Sequence, residues 1–557
     1  MALATTGDGG GVLWPLHEDG SSAGRPRAVP DLAAAVTLAE RDRPRWLWNA
    51  TNRIYPWLLA AGVRVERCHD LTLTGALLAG YRGQWGQPVS AAAQWDRLAG
   101  RPPREDPPPP RPPGDDTQEA LFGETAPGDP VGVEALAAVY LDQLASFRTA
   151  AEQPAGAGLR LLAAAESAGA LAAAEMGHTG LPWNRDAHDR LLTELLGPRP
   201  SVGAAPVRLA ELTRRIQAAF GGQPVNPDSP AQVLAAFTRA GITIASTRSH
   251  LLRAVDHPAV APLLEQKELA RLYTAHGWAW LDTWVRAGRF HPEYVVAGVV
   301  SGRWASRGGG ALQIPRPLRR AVQADPGWRL VVADAAQLEP RVLAALSGDR
   351  GLVAAAAGGD LYTGLATEAF GGDRPRAKIA LLAAMYGQTG GEAGQLLGVL
   401  RQRFPTAVRY VEAAAEAGET GQVVRSRLGR TCPPPGAGWD DGLEGADPDS
   451  PARQAAIRSA RSRSRFTRNF VIQASASDWA LVLLAAVRRR LQEAGGGAEL
   501  VFFQHDEVMV HCPADEADAV VALLRSAAAE AQQLVFGPGQ VRLDLAVNVV
   551  ERYSDAK

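Results

Sequence analysis

Three groups of polar residues in this sequence have the types and order that metal-dependent phosphoryl chemistry requires. Asp334 ends an apolar strand, and Asp506 lies between two apolar strands that form a hairpin. Carboxylates on neighbouring strands can share two divalent ions, one activating an attacking hydroxyl and the other holding a leaving pyrophosphate. Arg374 and Lys378 lie between them in sequence, four residues apart on one helical face, where both can bind the oxygens of a triphosphate.

Each group also has an ordinary structural interpretation, which the residues alone leave open. Asp334 could cap a helix or a turn, and His505-Asp506-Glu507 could be the polar tip of a hairpin. Arg374 and Lys378 could form a solvated basic edge. Lysine occurs at only three positions in the chain, however, so Lys378 is unusual in its background.

The helix that carries Arg374 and Lys378 continues with two residues at the same spacing. Leu382 and Tyr386 follow at intervals of four, with glycines on both sides of the helix. Residues four apart share one face, so an apolar group and a phenol lie beyond the two cations. This pattern indicates a surface that can contact a base or a sugar.

A further set of residues has the chemistry to contact nucleic acid. Arg303 and Gln313 precede the first strand, and Arg465, Asn469 and Gln473 recur every four residues on a later helix. The start of that helix is rich in arginine, which can neutralise a phosphate backbone. Asn and Gln can donate to and accept from base edges. The alternative is an exposed charged helix without a ligand.

Length and composition bound the elements that must position these residues. A chain of 557 residues predicts two to four domains or subdomains. Its formal net charge of −1 excludes a uniformly basic surface, so nucleic-acid affinity must come from local patches. Three scattered cysteines indicate neither a disulfide framework nor a zinc site. The apolar runs, such as 479–487, look too short to span a bilayer, so we expect no membrane role.

The pattern along the chain predicts an α/β, multi-domain protein. Residues 12–98 alternate strand and helix signals, and the proline-rich, acidic stretch 99–131 predicts an extended linker. Helical spacing dominates from 131 to about 300. After Gly302 the pattern mixes again, with a strand ending at Asp334, a helix beginning near Pro340, a later long helix and the hairpin.

Taken together, the motifs resemble those of family A DNA polymerases, the bacterial DNA polymerase I group, over roughly residues 205–557. Asp334-Ala-Ala-Gln-Leu-Glu-Pro-Arg341 is similar to the family's first motif, Asp-Tyr-Ser-Gln-Ile-Glu-Leu-Arg. Arg374, Lys378, Leu382 and Tyr386-Gly387 match the second motif, and Gln504-His505-Asp506-Glu507 resembles the third. The order and spacing agree as well.

The resemblance implies a right-hand polymerase fold of palm, fingers and thumb, preceded by an exonuclease-type α/β domain of the RNase H-like class. The implied ranges are 1–155 for the exonuclease-like domain with its linker at 99–131, 156–204 for a helical connector, 205–290 for the thumb, 291–345 and 466–557 for the palm, and 346–465 for the fingers.

The resemblance also implies a role for each matching residue. Two Mg²⁺ ions, with Mn²⁺ as a substitute, are held by Asp334, Asp506 and the backbone of Ala335, and Glu507 is a secondary acid. Lys378 also protonates the departing pyrophosphate. The incoming nucleotide is bound by Arg374, Lys378, Leu382, Tyr386, Gln337 and Glu339, the last as a steric gate against ribonucleotides. Primer and template are contacted by Arg303, Gln313, Arg341, Arg465, Asn469, Gln473 and His505.

Three departures from the family pattern bear on nucleotide binding and fidelity. Leu382 replaces an aromatic residue, Ala335 replaces a tyrosine, and the stretch Ala311 to Pro315 is one residue shorter than in the family. The region around 240–251 also offers little basic surface for a thumb tip, so we expect low intrinsic processivity.

The N-terminal domain lacks the acids that the family's 3′–5′ exonuclease uses. That chemistry needs four carboxylates around two metals. No Asp-x-Glu ends an early strand, Arg53 stands where an aspartate is expected, and only Asp70 is a plausible survivor. We therefore expect a degenerate domain without proofreading activity.

A short peptide in the linker resembles a bacterial sliding-clamp binding motif. It comprises Gln118, Leu121 and Phe122 within an otherwise apolar-free run. So short a pattern also arises by chance, and this alternative stays open. Clamp tethering would raise the effective concentration of a polymerase with a weak thumb.

The sequence therefore predicts a cytoplasmic, nucleoid-associated, DNA-directed DNA polymerase that uses primer-template DNA and deoxynucleoside triphosphates, in repair or gap filling. Two alternatives remain. One is a catalytically silent scaffold for primer-template DNA, and the other is a 3′–5′ exonuclease.

Overall fold

The computed structural model describes residues 1–108, 128, 130–307, 310, 312, 314–388, 390–436, 439, 451–539 and 541–556. They form two compact units. The first comprises 1–178, 293–305 and 331–549, and the second comprises 179–292, 306–330 and 550–557. The predicted sites at Gln313, Gln118, Leu121 and Phe122 lie outside the described residues.

The N-terminal part of the first unit is an α/β domain, which confirms the alternating pattern of residues 12–98. Its five-stranded sheet has the order β3-β2-β1-β4-β5, with β1 antiparallel to β2 and β4 parallel to β5. Trp46, Trp48 and Leu32 are fully buried in its core. The elements are β1 Ala2–Thr5, β2 Gly11–Trp14, β3 Arg27–Val29, α1 Leu32–Ala39, β4 Arg45–Trp48, α2 Thr51–Ala60, β5 Arg67–Asp70, α3 Leu71–Tyr81, α4 Ala91–Leu98, α5 Val133–Ala151 and α6 Leu159–Thr179.

The second unit is mostly helical, as the spacing between 131 and 300 predicts. Its helices pack around a core that includes Ile216, Phe237 and Leu263. A small sheet of order β6-β8-β7 joins them. The elements are β6 Leu181–Pro182, α7 Arg185–Leu196, α8 Val207–Ala219, α9 Pro230–Arg239, α10 Ser249–Leu252, α11 Val260–His276, α12 Trp278–Trp284, β7 Val285–Arg286 and β8 Arg289–Phe290.

The rest of the first unit builds helices around a four-stranded sheet of order β12-β13-β11-β14. The elements are β9 Tyr294–Val295, β10 Ala305–Ser306, β11 Trp328–Ala335, α13 Leu338–Ser347, α14 Arg350–Ala357, α15 Leu361–Ala369, α16 Arg374–Tyr386, α17 Gly391–Arg403, α18 Pro405–Glu419, α19 Pro451–Ala494, β12 Glu499–Gln504, β13 Glu507–Pro513, α20 Ala517–Phe536 and β14 Leu545–Val550. The first strand thus ends one residue after Asp334, and its helix begins at Leu338 rather than Pro340.

The long helix α19 is continuous over 44 residues, so the predicted boundary at 465/466 between fingers and palm falls inside one helix. The expectation that no apolar stretch could span a bilayer is wrong by length and composition, since 154–179, 453–494 and 514–536 all meet that criterion. In 453–494, however, 89% of the apolar window is buried within the protein, so this stretch packs the core.

Candidate active site

The two aspartates of the predicted metal site come from neighbouring elements of the four-stranded sheet. β11, which carries Asp334, lies directly beside β13, and the Ala335 amide donates to the Asp506 carbonyl at 3.1 Å. Both aspartates are partly exposed. The structure therefore places the turn that carries Asp506 beside the end of the strand that carries Asp334, on the two central strands of the sheet.

A tight turn positions Asp506. Gln504 pairs with Glu507 across the hairpin, which leaves His505 and Asp506 as a two-residue tip. The Asp506 amide donates back to the Gln504 carbonyl at 2.7 Å, and His505 has a φ of +58°, which a non-glycine residue rarely adopts. Such strain persists only where the surrounding structure fixes it. Glu507 is buried at 3% exposure, unlike the partly exposed Asp506.

The chemistry of this donor set fits divalent magnesium. Mg²⁺ prefers hard oxygen ligands and is commonly held by one or two carboxylates together with substrate phosphates. Asp334 and Asp506 are the predicted carboxylate ligands, and the Ala335 carbonyl is the predicted backbone donor. Among the described residues, no group of three or more His, Cys, Asp or Glu side chains could hold a metal ion. The predicted site accordingly depends on these two acids.

Helix α16 presents the predicted phosphate-binding face. Arg374 and Lys378 are exposed, and both cations lie over the Tyr362 ring, at 5.5 Å and 5.9 Å from its centroid. Arg374 also pairs with Asp360 at 2.7 Å. Partial burial alone would raise the pKa of Asp360, but the bonds from Arg374 and from the Thr363 amide outweigh it and lower this pKa to about 2. Asp360 therefore stays ionised and holds Arg374 in place.

Glu339 links the predicted nucleotide residues to a predicted DNA contact. One carboxylate oxygen accepts from Arg303 at 2.5 Å, and the other accepts from the Tyr386 hydroxyl at 2.9 Å. Burial and the adjacent Glu339 raise the pKa of Tyr386 to about 12, so the phenol remains a donor. Burial and Arg303 lower the pKa of His505. Arg303, Glu339 and Tyr386 thus form one bonded group, and the Arg303 charge acts on His505.

Two predicted site residues make internal contacts instead. Gln337 adopts a left-handed backbone with φ of +59°, and its side-chain oxygen accepts from the Leu361 amide at 2.8 Å, at the first residue of α15. The Arg341 guanidinium is buried and donates to the carbonyls of Ala356, Gly358, Gly359 and Arg542. We therefore do not retain Arg341 as a DNA contact or Gln337 as a nucleotide contact in the proposal below.

The residues predicted to contact DNA from the long helix lie in one continuous α19. Arg465 is exposed, whereas Asn469 and Gln473 are half-buried. The Asn469 side chain lies beside the Tyr386 hydroxyl and acts to lower the pKa of that phenol, against the larger effects of burial and Glu339. Arg468 donates to the Ala384 carbonyl at 2.9 Å, which fixes α19 against α16. Asn469, which is predicted to contact DNA, therefore lies on a helix that packs against α16, the helix predicted to bind the nucleotide.

Two supporting features escaped sequence reasoning. Asp360 and Tyr362 contact the two cations of α16. Aspartate is a preferred residue at the start of a helix, so the N-cap role of Asp360 could have been predicted from the sequence. Arg430 is buried between Glu166 at 2.8 Å and Asp478 at 3.2 Å, and no sequence signal pointed to that pairing. Gly302 packs against this arginine, since a Cβ there would lie 2.4 Å from the Arg430 Nε. The turn before Arg303 therefore requires glycine.

Asp70, the one acid of the N-terminal domain that was a plausible remnant of an exonuclease site, makes hydrogen bonds that stabilise the fold. It is buried at 2% exposure, caps α3 through the Leu73 amide at 2.9 Å and accepts from the Thr51 amide at 2.7 Å. Burial raises the pKa of this carboxyl. Asp70 thus joins the starts of α2 and α3.

Comparisons with known proteins identify the family of this chain. The profile of DNA polymerase family A matches residues 204–555. The chain is 29% identical over 386 residues to DNA polymerase I of Chloroflexus aurantiacus, covering 61% of this chain and 39% of that protein. It is 30% identical over 350 residues to the thermostable DNA polymerase I of Thermus thermophilus, covering 56% and 38% respectively.

The fold also matches a solved structure. The polymerase domain of Pol1 from M. smegmatis, in complex with DNA primer-template and dNTP, superimposes with a TM-score of 0.72 at 20% identity, over 100% of this chain and 95% of that domain. The chain thus has the fold of that polymerase domain, while it spans only about two fifths of the curated relatives it matches. Because the family profile covers most of the chain, the protein belongs to DNA polymerase family A.

Proposed function

We propose that this protein is a DNA-directed DNA polymerase that adds deoxynucleotides to a primer 3′ end. The observation that carries the proposal is the backbone hydrogen bond between Ala335 and Asp506, which places the turn that carries the partly exposed Asp506 beside the strand end that carries the partly exposed Asp334. Membership of family A supports the same reaction. The M. smegmatis domain was solved with DNA primer-template and dNTP, and we propose the same two partners here.

In this proposal Asp334, Asp506 and the Ala335 carbonyl hold two Mg²⁺ ions, for which Mn²⁺ can substitute. Bound metal supplies activation of the primer hydroxyl and stabilisation of the leaving pyrophosphate. Arg374, held by Asp360, and Lys378 neutralise the triphosphate. The Lys378 ammonium donates a proton from Nζ to the departing pyrophosphate. Leu382 and Tyr386 lie along the same helical face for the base and sugar.

Deoxynucleotide selection is proposed for Glu339. Its side chain is only 13% exposed and is fixed at both oxygens, so it offers a rigid wall to a ribose 2′-hydroxyl. Contacts with primer and template are proposed for Arg303, Arg465, Asn469, Gln473 and His505. We also propose low processivity, a cytoplasmic, nucleoid-associated location and a role in repair or gap filling.

Primer extension tests the proposal directly. A labelled primer on a DNA template is incubated with Mg²⁺ and deoxynucleotides, using wild type, Asp334→Asn and Asp506→Asn. Each substitution keeps side-chain volume but removes the charge that binds metal, so we expect each to abolish extension. Asp515→Asn, at an exposed acid in the turn after the same hairpin, is the matched control and should extend normally.

The same assay separates the alternatives. Tight binding of a primer-template junction without extension by the wild type would make the protein a DNA-binding scaffold. Degradation of single-stranded DNA that survives both Asp334→Asn and Asp506→Asn would place a nuclease in the N-terminal domain. Extension that persists in Asp506→Asn would contradict the proposed metal site.

A further inference from the structure

The N-terminal domain contains a basic pocket that the proposed polymerase reaction does not use. A cavity of about 240 Å³ lies where β4 and β5 begin. Its lining includes Arg45 and Arg67, the first residues of those strands, and Arg160 in the first turn of α6. Tyr140 and His69 also line it. We call this cavity the three-arginine pocket.

The arginines converge without neutralising partners. Arg45 and Arg67 are register partners on parallel strands, so their side chains leave the sheet on the same face. Within the part of the chain that the structure describes, the guanidinium groups of Arg45 and Arg160 make no hydrogen bond or ion pair. Arg67 donates to the Arg43 carbonyl at 3.1 Å. Like charges held side by side destabilise a sheet, and a bound anion would relieve the repulsion.

The remaining lining residues do not cancel this charge. Glu18 is the one acid among the described lining residues, so the side chains of three arginines and one glutamate leave an excess of two positive charges. The Met1 amine also lines the pocket, and burial lowers its pKa to about 6, so it adds further positive charge only on acidification. The neighbouring Asp19 carboxylate is occupied by the Ser21 amide and hydroxyl, at 2.9 Å and 2.6 Å. The pocket therefore has the charge to match a dianion.

His69 lines the pocket as an uncharged ring. Gln143 uses its amide nitrogen as donor to the Leu71 carbonyl and to Gln94, so its oxygen accepts from His69 Nε2 at 2.8 Å. Burial, with a contribution from Arg45 and Arg160, lowers the pKa of His69 to about 4. The ring is uncharged at neutral pH and packs edge-on against Tyr140 at 4.9 Å. The positive charge of the pocket thus belongs to the arginines.

We propose that the three-arginine pocket binds a phosphate monoester. Guanidinium groups match phosphate oxygens in geometry, and a monoester carries close to two negative charges at neutral pH whereas an internal phosphodiester carries one. The volume lies below the usual 300 Å³ for a small-molecule site, which suits a phosphate with its sugar rather than a strand running through. A free mononucleotide and the phosphorylated 5′ end of a DNA strand share this chemistry.

Binding measurements on the full chain test the proposal and separate the two sources. The probes are dAMP and a short single strand labelled at its 3′ end, carrying either a 5′-phosphate or a 5′-hydroxyl. The test variant is Arg45→Gln/Arg160→Gln, with Arg160→Gln alone as a milder second variant. Arg41→Gln, an exposed arginine of the same domain outside the pocket, is the matched control.

We expect the double variant to lose about tenfold or more in affinity for a phosphate monoester, since each bond to a charged group contributes substantially. Loss for the 5′-phosphorylated strand but not for the 5′-hydroxyl strand identifies a strand end. Loss for dAMP alone identifies a free mononucleotide.

Unchanged affinity of both variants for dAMP and for the 5′-phosphorylated strand would overturn the proposal. Primer extension by the same variants tests the proposed polymerase function independently of the phosphate-binding proposal. Arg45 and Arg160 are exposed and distant in sequence from Asp334 and Asp506, so both variants should extend a primer as the wild type does.

Discussion

The Tyr386 hydroxyl donates to Glu339 at 2.9 Å, which joins the C-terminal end of α16 to the first turn of α13. The other Glu339 oxygen accepts from Arg303 at 2.5 Å. A single carboxylate therefore fixes the side chains that we propose to contact the incoming nucleotide and the DNA. Its two partners give Glu339 one defined orientation, which a steric wall requires.

Glu339→Ala should weaken discrimination against ribonucleotides by about tenfold or more. Removing the side chain opens space for a 2′-hydroxyl, and specificity that depends on a clash is lost with the clashing group. The measurement is the ratio of kcat/KM for a deoxynucleotide to that for the matching ribonucleotide. Glu339→Gln keeps nearly the same volume and is the control. Equal discrimination by Glu339→Ala and wild type would show that another residue forms the wall.

Gly302→Ala should destabilise the protein and weaken DNA binding through Arg303. Gly302 has a φ of +82°, and a Cβ there would lie 2.4 Å from the Arg430 Nε. Gly348→Ala is a matched control, since its φ is +62° but nothing lies within 4 Å. The control should lose only about 1–2 kcal/mol of stability, which is the cost of a left-handed backbone at a non-glycine residue. A thermal unfolding midpoint for Gly302→Ala no lower than that of Gly348→Ala would contradict the close packing.

The elements with strong local patterns were predicted well from the sequence. The four-residue spacing of Arg374, Lys378 and Tyr386 predicted one face of α16, and the apolar strands around Asp506 predicted the hairpin. Both signals depend on local periodicity, which survives folding. That β11 and β13 are neighbours was inferred from two-metal chemistry, which needs carboxylates on neighbouring strands, and not from a local sequence pattern.

Features that depend on long-range contacts were missed. Arg341 looked like a DNA contact, yet it binds carbonyls as distant in sequence as that of Arg542. The contact between α13 and this carbonyl depends on the tertiary fold, so the identity of residue 341 alone could not predict it. The predicted boundary at 465/466 between fingers and palm lies inside the continuous helix α19 and stays a prediction, because helical periodicity does not change where one helix serves two subdomains.

Arg430→Met should lower stability by about 3–5 kcal/mol, because it leaves two buried acids without their shared cation. Burial raises the pKa of both Glu166 and Asp478, and Arg430 is their shared cation. Arg376→Met, which removes an exposed pair with Glu392, is the control and should cost at most about 1 kcal/mol. Chemical unfolding followed by circular dichroism measures both.

The Arg430→Met deficit should also depend on pH in a defined direction. Acids with raised folded-state pKa values favour the folded state at low pH and lose that contribution as pH rises through the folded value. Without Arg430 the pKa values of the two acids rise further, because Arg430 lowers both of them. The deficit should therefore be smaller at pH 5 than at pH 8. A deficit that grows on acidification would contradict the role of Arg430 as a counter-ion.

The second unit should lose stability on mild acidification through two buried histidines. Burial lowers the pKa of His188 and of His276 to about 4, below the ordinary value of 6.5. The unfolded chain therefore binds more protons between these values, so stability falls as pH drops from about 6.5 towards 4. Both nitrogens of His276 lack a hydrogen-bond partner among the described residues, so this ring gains nothing from its polarity.

His276→Leu should remove part of this pH dependence and leave the unit as stable or more stable at pH 5. Hydrogen exchange of α11 and α12, read by mass spectrometry at pH 7 and pH 5 after correction for intrinsic exchange rates, reports the local stability. His250→Leu, at an exposed position of the same unit, is the control and should leave the acid-induced loss unchanged. If His276→Leu loses protection on acidification as steeply as wild type, His188 or another group controls the response.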